Sequence, residues 1–191
     1  MKNILIFSTI LALSVSFISC NKEEVAAPSV PLTKTKDITV NFSSAAPFTF
    51  FSFKDTSIVS NTDSSSAKWD FALRLTTFLV NGNSSGPGSA GVIVQDGVYD
   101  NIKTAPATGY AYDTTSSKRA IKDGSWYDYN PTTRSFVPKA GKVFIFRNAD
   151  GVHYTKMELL STNYVPFTGM FPQQIIYKMR FTYQPDGSKN F

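Results

Sequence analysis

One stretch, residues 68–79, constrains the fold more than any other part of the chain. Its odd-numbered positions are apolar except for Thr77, while polar residues and one alanine fill the even-numbered positions from 68 to 76. Because successive side chains of a strand point to opposite faces, this period of two predicts one extended strand with a buried and a solvent-facing side. A buried large apolar side chain contributes about 1.5–3 kcal/mol, so we expect this strand to be central. The predicted buried side consists of Trp69, Phe71, Leu73, Leu75 and Leu79.

The rest of the chain alternates short aromatic segments with turn-forming residues. It holds sixteen Phe, nine Tyr and two Trp, and no segment keeps the period of 3.6 residues that an amphipathic helix requires. Asn, Asp, Gly and Pro separate the segments. We therefore predict an all-β domain, an antiparallel β-sandwich with long loops and a Phe-rich interior. The predicted strands span residues 37–42, 47–53, 56–60, 68–80, 90–95, 125–129, 135–138, 142–147, 152–160 and 173–184.

Two local patterns near the C-terminus predict specific geometry. Residues 143–146 and 152–160 are expected to form a hairpin, because Asn148 suits the start of a type I turn and Gly151 suits a left-handed position. In the last predicted strand, alternate residues are apolar and should share one buried face. These residues are Ile175, Tyr177, Met179, Phe181 and Tyr183.

The N-terminus is typical of a signal peptide. Residues 1–19 have a lysine at position 2 and continue as an apolar run that is too short for a membrane span of about 20 residues. Cys20, the only cysteine, follows a small residue, an arrangement that resembles the lipobox of bacterial lipoproteins. The resemblance implies that Cys20 begins the mature protein and carries lipid, which would anchor it to a membrane. The alternative is an ordinary secretory signal followed by a stray cysteine.

The next residues bear on localisation and domain organisation. Residues 21–24, Asn-Lys-Glu-Glu, resemble the export signal that sends Bacteroidetes lipoproteins to the outer face of the outer membrane. The alternative interpretation is a charged, solvated linker. We predict that residues 20–35 form a lipidated flexible tether, and that residues 36–191 form one β domain of ordinary size.

Charge and motif content exclude several classes of function. The chain has 19 basic and 14 acidic residues, and the basic residues are scattered, so nucleic acid is not a predicted partner. No spacing typical of zinc or calcium sites occurs, and the glycine-rich residues 82–91 are not followed by a helix that would bind phosphate. We predict that the protein is not an enzyme. Five aspartates are predicted to make local hydrogen bonds in turns: Asp96, Asp100, Asp113, Asp123 and Asp128.

The only histidine is predicted to be structural. His153 is expected in the middle of a strand, on the face that it shares with Thr155, Met157 and Leu159. A partly buried packing role therefore fits this position better than a role as a catalytic base, which would need a nucleophile beside it.

Several segments, in this order, resemble the HmuY family of Bacteroidetes lipoproteins. They lie between about residues 35 and 184, and the resemblance implies a β-rich, hand-shaped fold that holds haem between loops. It also implies delivery of haem to an outer-membrane receptor, for which a TonB-dependent receptor is a candidate. The segments are Trp-Asp-Phe-Ala-Leu at 69–73, the loop 81–91, Gly-Ser-Trp-Tyr-Asp-Tyr at 124–129, the hairpin 143–157, and Arg-Phe-Thr-Tyr at 180–183.

The haem ligands of the family cannot be transferred to this chain. In the family they are His or Met residues from loops flanking the Gly-Trp segment, and here residues 111–123 and 130–139 contain neither. The remaining candidates are Met170, in an apolar loop, and Tyr110 and Tyr112 as phenolate or hydrogen-bonding partners. Two alternatives stay open: a surface module of the same fold that binds a glycan or protein, and a structural envelope lipoprotein without a small ligand.

Overall fold

The computed structural model describes residues 30–168 and 171–191, and within them the chain forms eleven strands and two single-turn 3-10 helices. The prediction of an all-β fold is confirmed. The helices are Asn61–Asp63 and Tyr99–Asn101. The strands are β1 Leu32–Asn41, β2 Thr49–Ser52, β3 Ser57–Val59, β4 Phe71–Arg74, β5 Thr77–Val80, β6 Gly91–Asp96, β7 Tyr127–Asn130, β8 Ser135–Pro138, β9 Lys142–Arg147, β10 Tyr154–Thr168 and β11 Phe171–Gln184.

The strands form two main sheets and one small hairpin. The larger sheet has the order β1-β11-β10-β9-β6, the smaller sheet has the order β3-β2-β4-β5, and β7 pairs with β8. Neighbouring strands are antiparallel throughout these sheets. This arrangement allows most connections to be short turns.

A cluster of phenylalanine rings joins the two main sheets. The Phe53 ring centroid lies 5.1 Å from that of Phe146 on β9 and 5.3 Å from that of Phe181 on β11. Phe51 on β2 also approaches Phe181, at 6.0 Å. These four phenylalanines of the cluster and their neighbour Phe71 are at most 1% exposed. The edge-to-face and tilted contacts are those that aromatic pairs prefer, and they close the core between the sheets.

Residues 68–80 form a hairpin, so the prediction of one continuous strand was wrong. β4 and β5 pair Phe71 with Val80 and Leu73 with Phe78. Leu75 adopts φ +48 at the turn between them. Because paired residues share a face, Phe78 and Val80 join Phe71 in the main core, and the odd-even pattern reverses after the turn. Leu79 therefore points to the opposite face of the smaller sheet, where it contributes to a second cluster.

The face of β4 that was predicted to meet solvent is also covered. Ala72 is fully buried and Asp70 is only 5% exposed. A second apolar cluster of Phe50, Trp69, Ala72 and Leu79 lies on this face. The Trp69 indole donates to the Ser64 carbonyl oxygen at 2.9 Å, which holds the preceding loop over the cluster. The smaller sheet is thus packed on both faces.

Both local predictions near the C-terminus are confirmed. The β9–β10 hairpin pairs Arg147 with Tyr154. In its turn the Gly151 N–H donates to the Asn148 carbonyl oxygen at 2.9 Å, and Gly151 has φ +75. The five alternate apolar residues of β11, from Ile175 to Tyr183, are at most 5% exposed, because they form the inner face of the larger sheet.

The last two strands are longer than the sequence predicted. β10 was expected to end at Leu160 and β11 to begin at residue 173, but pairing continues to Thr168 and Phe171. A bulge after Leu159 shifts the register and lets pairing resume at Ser161. The β7–β8 hairpin rests on this extension, where the Thr162 hydroxyl donates to the Phe136 carbonyl oxygen at 2.6 Å.

The first strand begins within the segment predicted to be a tether. β1 starts at Leu32 and pairs with β11 over its whole length. β1 is the outer strand of its sheet. Lys34 and Lys36 lie on the same face as Ile38 and Val40, whose side chains are buried in the core, and the threonines lie on the opposite face. Charged side chains on the inner face of an edge strand oppose pairing with another chain.

Candidate functional site

A basic cavity of about 590 Å³ lies beside β5. Its wall combines three cationic side chains with one carboxylate, so its electrostatic potential favours an anionic ligand. Hydroxyl groups supply further hydrogen-bond donors for such a ligand. The lining residues are Thr77, Ser116, Ser117, Lys118, Arg119, Lys122 and Asp123.

The buried carboxylate of Asp113 fixes the start of the loop that forms this cavity. Asp113 is fully buried. Its Oδ2 accepts hydrogen bonds from the Val80 N–H at 3.0 Å and the Ser85 hydroxyl at 2.6 Å, and its Oδ1 accepts one from the Ala120 N–H at 2.7 Å. The prediction of a local turn aspartate was wrong for Asp113, because its carboxylate joins β5, the glycine-rich residues 82–91 and the cavity loop around Ala120.

The same network holds Arg119 at the cavity wall. Its Nη1 donates to the Ser85 hydroxyl at 2.7 Å and lies 3.6 Å from Asp113 Oδ2. The Arg119 side chain is 20% exposed, and its Nε has no hydrogen-bond partner among the described residues. The guanidinium is therefore held in place at the cavity wall, and its charge and planar shape suit recognition of a carboxylate.

An aromatic hairpin borders the cavity. The Tyr127 hydroxyl on β7 donates to Asp123 Oδ1 at 3.0 Å, and burial raises the pKa of Tyr127 above its usual value. Phe136 on β8 packs between Tyr127 and Tyr129, with ring centroids 5.0 and 5.2 Å away. Trp126 is buried in the core, whereas Tyr129 is 52% exposed. A flat ligand extending from the cavity toward this hairpin would meet aromatic rings.

The candidate tyrosines lie elsewhere, against Arg147 near the outer face of the larger sheet. Arg147 Nη2 donates to the Tyr112 hydroxyl oxygen at 2.5 Å, and the Tyr110 hydroxyl donates to the Pro106 carbonyl oxygen at 2.9 Å. Burial raises the pKa of Tyr110 to about 12, which disfavours the phenolate that iron binds. The structure thus brings Tyr110 and Tyr112 together, but both hydroxyls have protein partners.

Two predicted functional residues, Met170 and Cys20, lie outside the described residues. Ligation of haem by Met170 and lipid attachment at Cys20 stay predictions. Within residues 30–168 and 171–191, no group of three or more His, Cys, Asp or Glu side chains could hold a metal ion. Over the same ranges, no helix is both long and apolar enough to cross a membrane.

His153 has a structural position just before β10, not in the middle of a strand. Its Nδ1 lies 2.5 Å from Asp150 Oδ2, and its Nε2 lies 3.1 Å from the Pro185 carbonyl oxygen. The ring also packs on Tyr183, with centroids 5.5 Å apart. The predicted partial burial of His153 is confirmed. Its contacts connect the β9–β10 turn to the C-terminal segment.

Asp70 is buried, although the sequence pattern placed it on the solvent-facing side of the strand. Its Oδ2 accepts the Phe53 N–H and its Oδ1 the Ala149 N–H, both at 2.8 Å. Burial raises the pKa of Asp70 to about 6, although these two hydrogen bonds oppose the rise. The position of an acidic residue between Trp69 and Phe71 could have indicated this burial. A carboxylate beside buried rings needs hydrogen-bond donors from within the protein.

No model of a known protein family matches the chain, and no curated protein matches it in sequence. The resemblance to the HmuY family therefore stays a prediction that rests on the segments named above.

Proposed function

We propose that this chain is a surface-anchored lipoprotein that binds haem and passes it to an outer-membrane receptor without covalent chemistry. The basic cavity beside the aromatic β7–β8 hairpin is the main support for this proposal. The two flank Trp126, in the region where the HmuY-like resemblance implies that haem is held. Cys20 would carry the lipid that keeps the protein on the outer membrane.

The chemistry of haem matches the two parts of this site. Its two propionates would bind Lys118, Lys122 and the positioned guanidinium of Arg119, since charge-assisted hydrogen bonds to carboxylates are strong. Its apolar ring would lie toward Tyr127 and Tyr129, where stacking on aromatic rings is favourable. The cavity volume of about 590 Å³ is within the range typical of small-molecule sites.

The cavity wall itself provides no usual iron ligand. None of its seven residues, all within the described part of the chain, is His, Met, Cys or Tyr. Binding at this site therefore depends on the propionates and on stacking, not on an axial ligand from the wall. Metal-free protoporphyrin should consequently bind with an affinity close to that of haemin.

We expect the double variant Lys118→Ala/Lys122→Ala to bind haemin at least about tenfold more weakly than the unaltered chain, because two charge-assisted contacts are lost. Titration of the full-length chain in detergent, followed by its Soret absorbance, measures this change. The matched control is Lys36→Ala/Lys178→Ala, which removes the same charge from β1 and β11. Equal affinities in all three proteins would contradict the proposal.

The second candidate function is binding of an acidic glycan at the same cavity. It is favoured by the hydroxyl groups of Thr77, Ser116 and Ser117 and by the lack of an iron ligand in the wall. A sulfated or sialylated oligosaccharide would then bind the full-length chain in calorimetry, and Lys118→Ala/Lys122→Ala would weaken that binding. Under this alternative, haemin would cause no saturable spectral change.

A further inference from the structure

A second cavity, of about 460 Å³, has the opposite charge. It lies between β3 and the loop that leads to Asp70, on the smaller sheet. Four carboxylates and two lysines line it, so its wall is negative in a chain whose net charge is positive. The lining residues are Ser52, Lys54, Asp55, Ser57, Ile58, Val59, Ser60, Asp63, Ala67, Lys68, Asp70, Asn148 and Asp150.

The negative charge of this acidic cavity is only partly neutralised. Lys68 Nζ lies 3.0 Å from Asp63 Oδ1 and is engaged by that carboxylate. Among the residues that the structure describes, Asp55 Oδ2 accepts one hydrogen bond, from the Ser52 hydroxyl at 2.9 Å. Asp70 lies close enough to Asp55 and Asp150 for their charges to raise its pKa, in addition to the larger effect of burial. Carboxylates that repel one another attract a cation.

An independent observation concerns Asn148, which also lines the acidic cavity. Asn148 is only 2% exposed, and its Oδ1 has no hydrogen-bond partner among the described residues. Buried side-chain oxygens are satisfied in most proteins, and an unsatisfied one is costly. A ligand carrying N–H donors would supply the missing bond together with the missing positive charge.

The remaining wall defines what kind of cation fits. No cluster in the described residues has the ligands for a metal ion. The apolar side chains of Ile58, Val59 and Ala67 instead offer contact for an alkyl chain. We propose that the acidic cavity binds a primary alkylammonium group, carried either by a small amine or by a lysine side chain of another protein.

Calorimetric titration of the full-length chain with two probes tests this proposal. Cadaverine represents a small amine, and Nα-acetyl-lysine amide represents a lysine side chain. Nα-acetyl-norleucine amide is the neutral control, because it retains the alkyl chain without the ammonium group. Saturable binding of either charged probe, but not of the norleucine compound, supports the proposal, and the tighter probe identifies the source of the ammonium group.

A matched pair of variants places the binding in the acidic cavity. We expect Asp55→Asn to weaken binding of the better probe by about tenfold, since one charge-assisted contact is lost. Asp96→Asn removes the same charge outside this cavity, where Asp96 pairs with Lys142, and should change the affinity less than about twofold. The proposal is overturned if neither probe binds by about 10 mM, if the norleucine compound binds equally well, or if both folded variants match the unaltered chain.

Discussion

Replacing Phe71 with alanine is expected to lower the free energy of unfolding by about 3–5 kcal/mol. The Phe71 ring is 1% exposed and joins the two sheets, so its removal leaves a cavity that neither sheet can fill alone. Its ring centroid lies between 5.2 and 5.8 Å from those of Phe53, Phe51, Phe78 and Phe146. Denaturant unfolding of the two proteins measures the difference.

Val98→Ala is the control for this prediction, because Val98 is 61% exposed. We expect it to change the free energy of unfolding by no more than about 0.5 kcal/mol. Equal stabilities of Phe71→Ala and the unaltered chain would mean that Phe71 does not join the sheets as described.

The second large effect is a loss of stability as pH rises through the titration of Asp70. Folding raises the pKa of Asp70 from 3.8 to about 6, so the folded state holds this proton more tightly than the unfolded state does. The contribution is therefore fully present below about pH 4 and disappears as pH rises past about 6. The pKa difference corresponds to about 3 kcal/mol in the free energy of unfolding.

Comparison with Asp70→Asn isolates this contribution from those of other carboxyl groups. The variant cannot ionise, so the difference in stability between the two proteins should shrink as pH rises from about 4 to about 7. The variant is also expected to be less stable at low pH, since the asparagine NH₂ faces one of the backbone donors, Phe53 N–H or Ala149 N–H. Parallel stability curves over this range would contradict the burial of an ionisable carboxyl group.

Short-range chemistry made much of the fold predictable. The turn residues Asn148 and Gly151 located the β9–β10 hairpin, and strict alternation located the buried face of β11. Both patterns act between neighbouring residues, so they hold whatever the rest of the chain does. The same alternation misled for residues 68–80, because it continues as far as Leu75, within the turn, and changes phase only at Thr77 and Phe78.

The glycine-rich residues 82–91 show a different limit. A Cβ atom at Gly86 would lie 2.1 Å from Asn81 Oδ1, and one at Gly82 would lie 2.3 Å from the Ala90 carbonyl oxygen. Asn81 is itself fully buried. These glycines permit close packing, and the partners that require it are visible only once the chain is folded.

The candidate sites were the least predictable features. Lys118, Arg119 and Lys122 are three among 19 basic residues, and nothing in their spacing shows that one cavity collects them. That arrangement depends on Asp113, whose donors come from Val80, Ser85 and Ala120. Long-range pairing of this kind leaves no periodic signal in a single sequence.

Amide hydrogen exchange of the full-length chain, measured with and without haemin, shows directly whether haem binds in the basic cavity. We expect haemin to slow exchange mainly in residues 114–129, which include most of the basic cavity and the first strand of the aromatic hairpin. Protection confined to residues 105–112, around Tyr110 and Tyr112, or no protection at saturating haemin, would contradict the assignment of haem to this cavity.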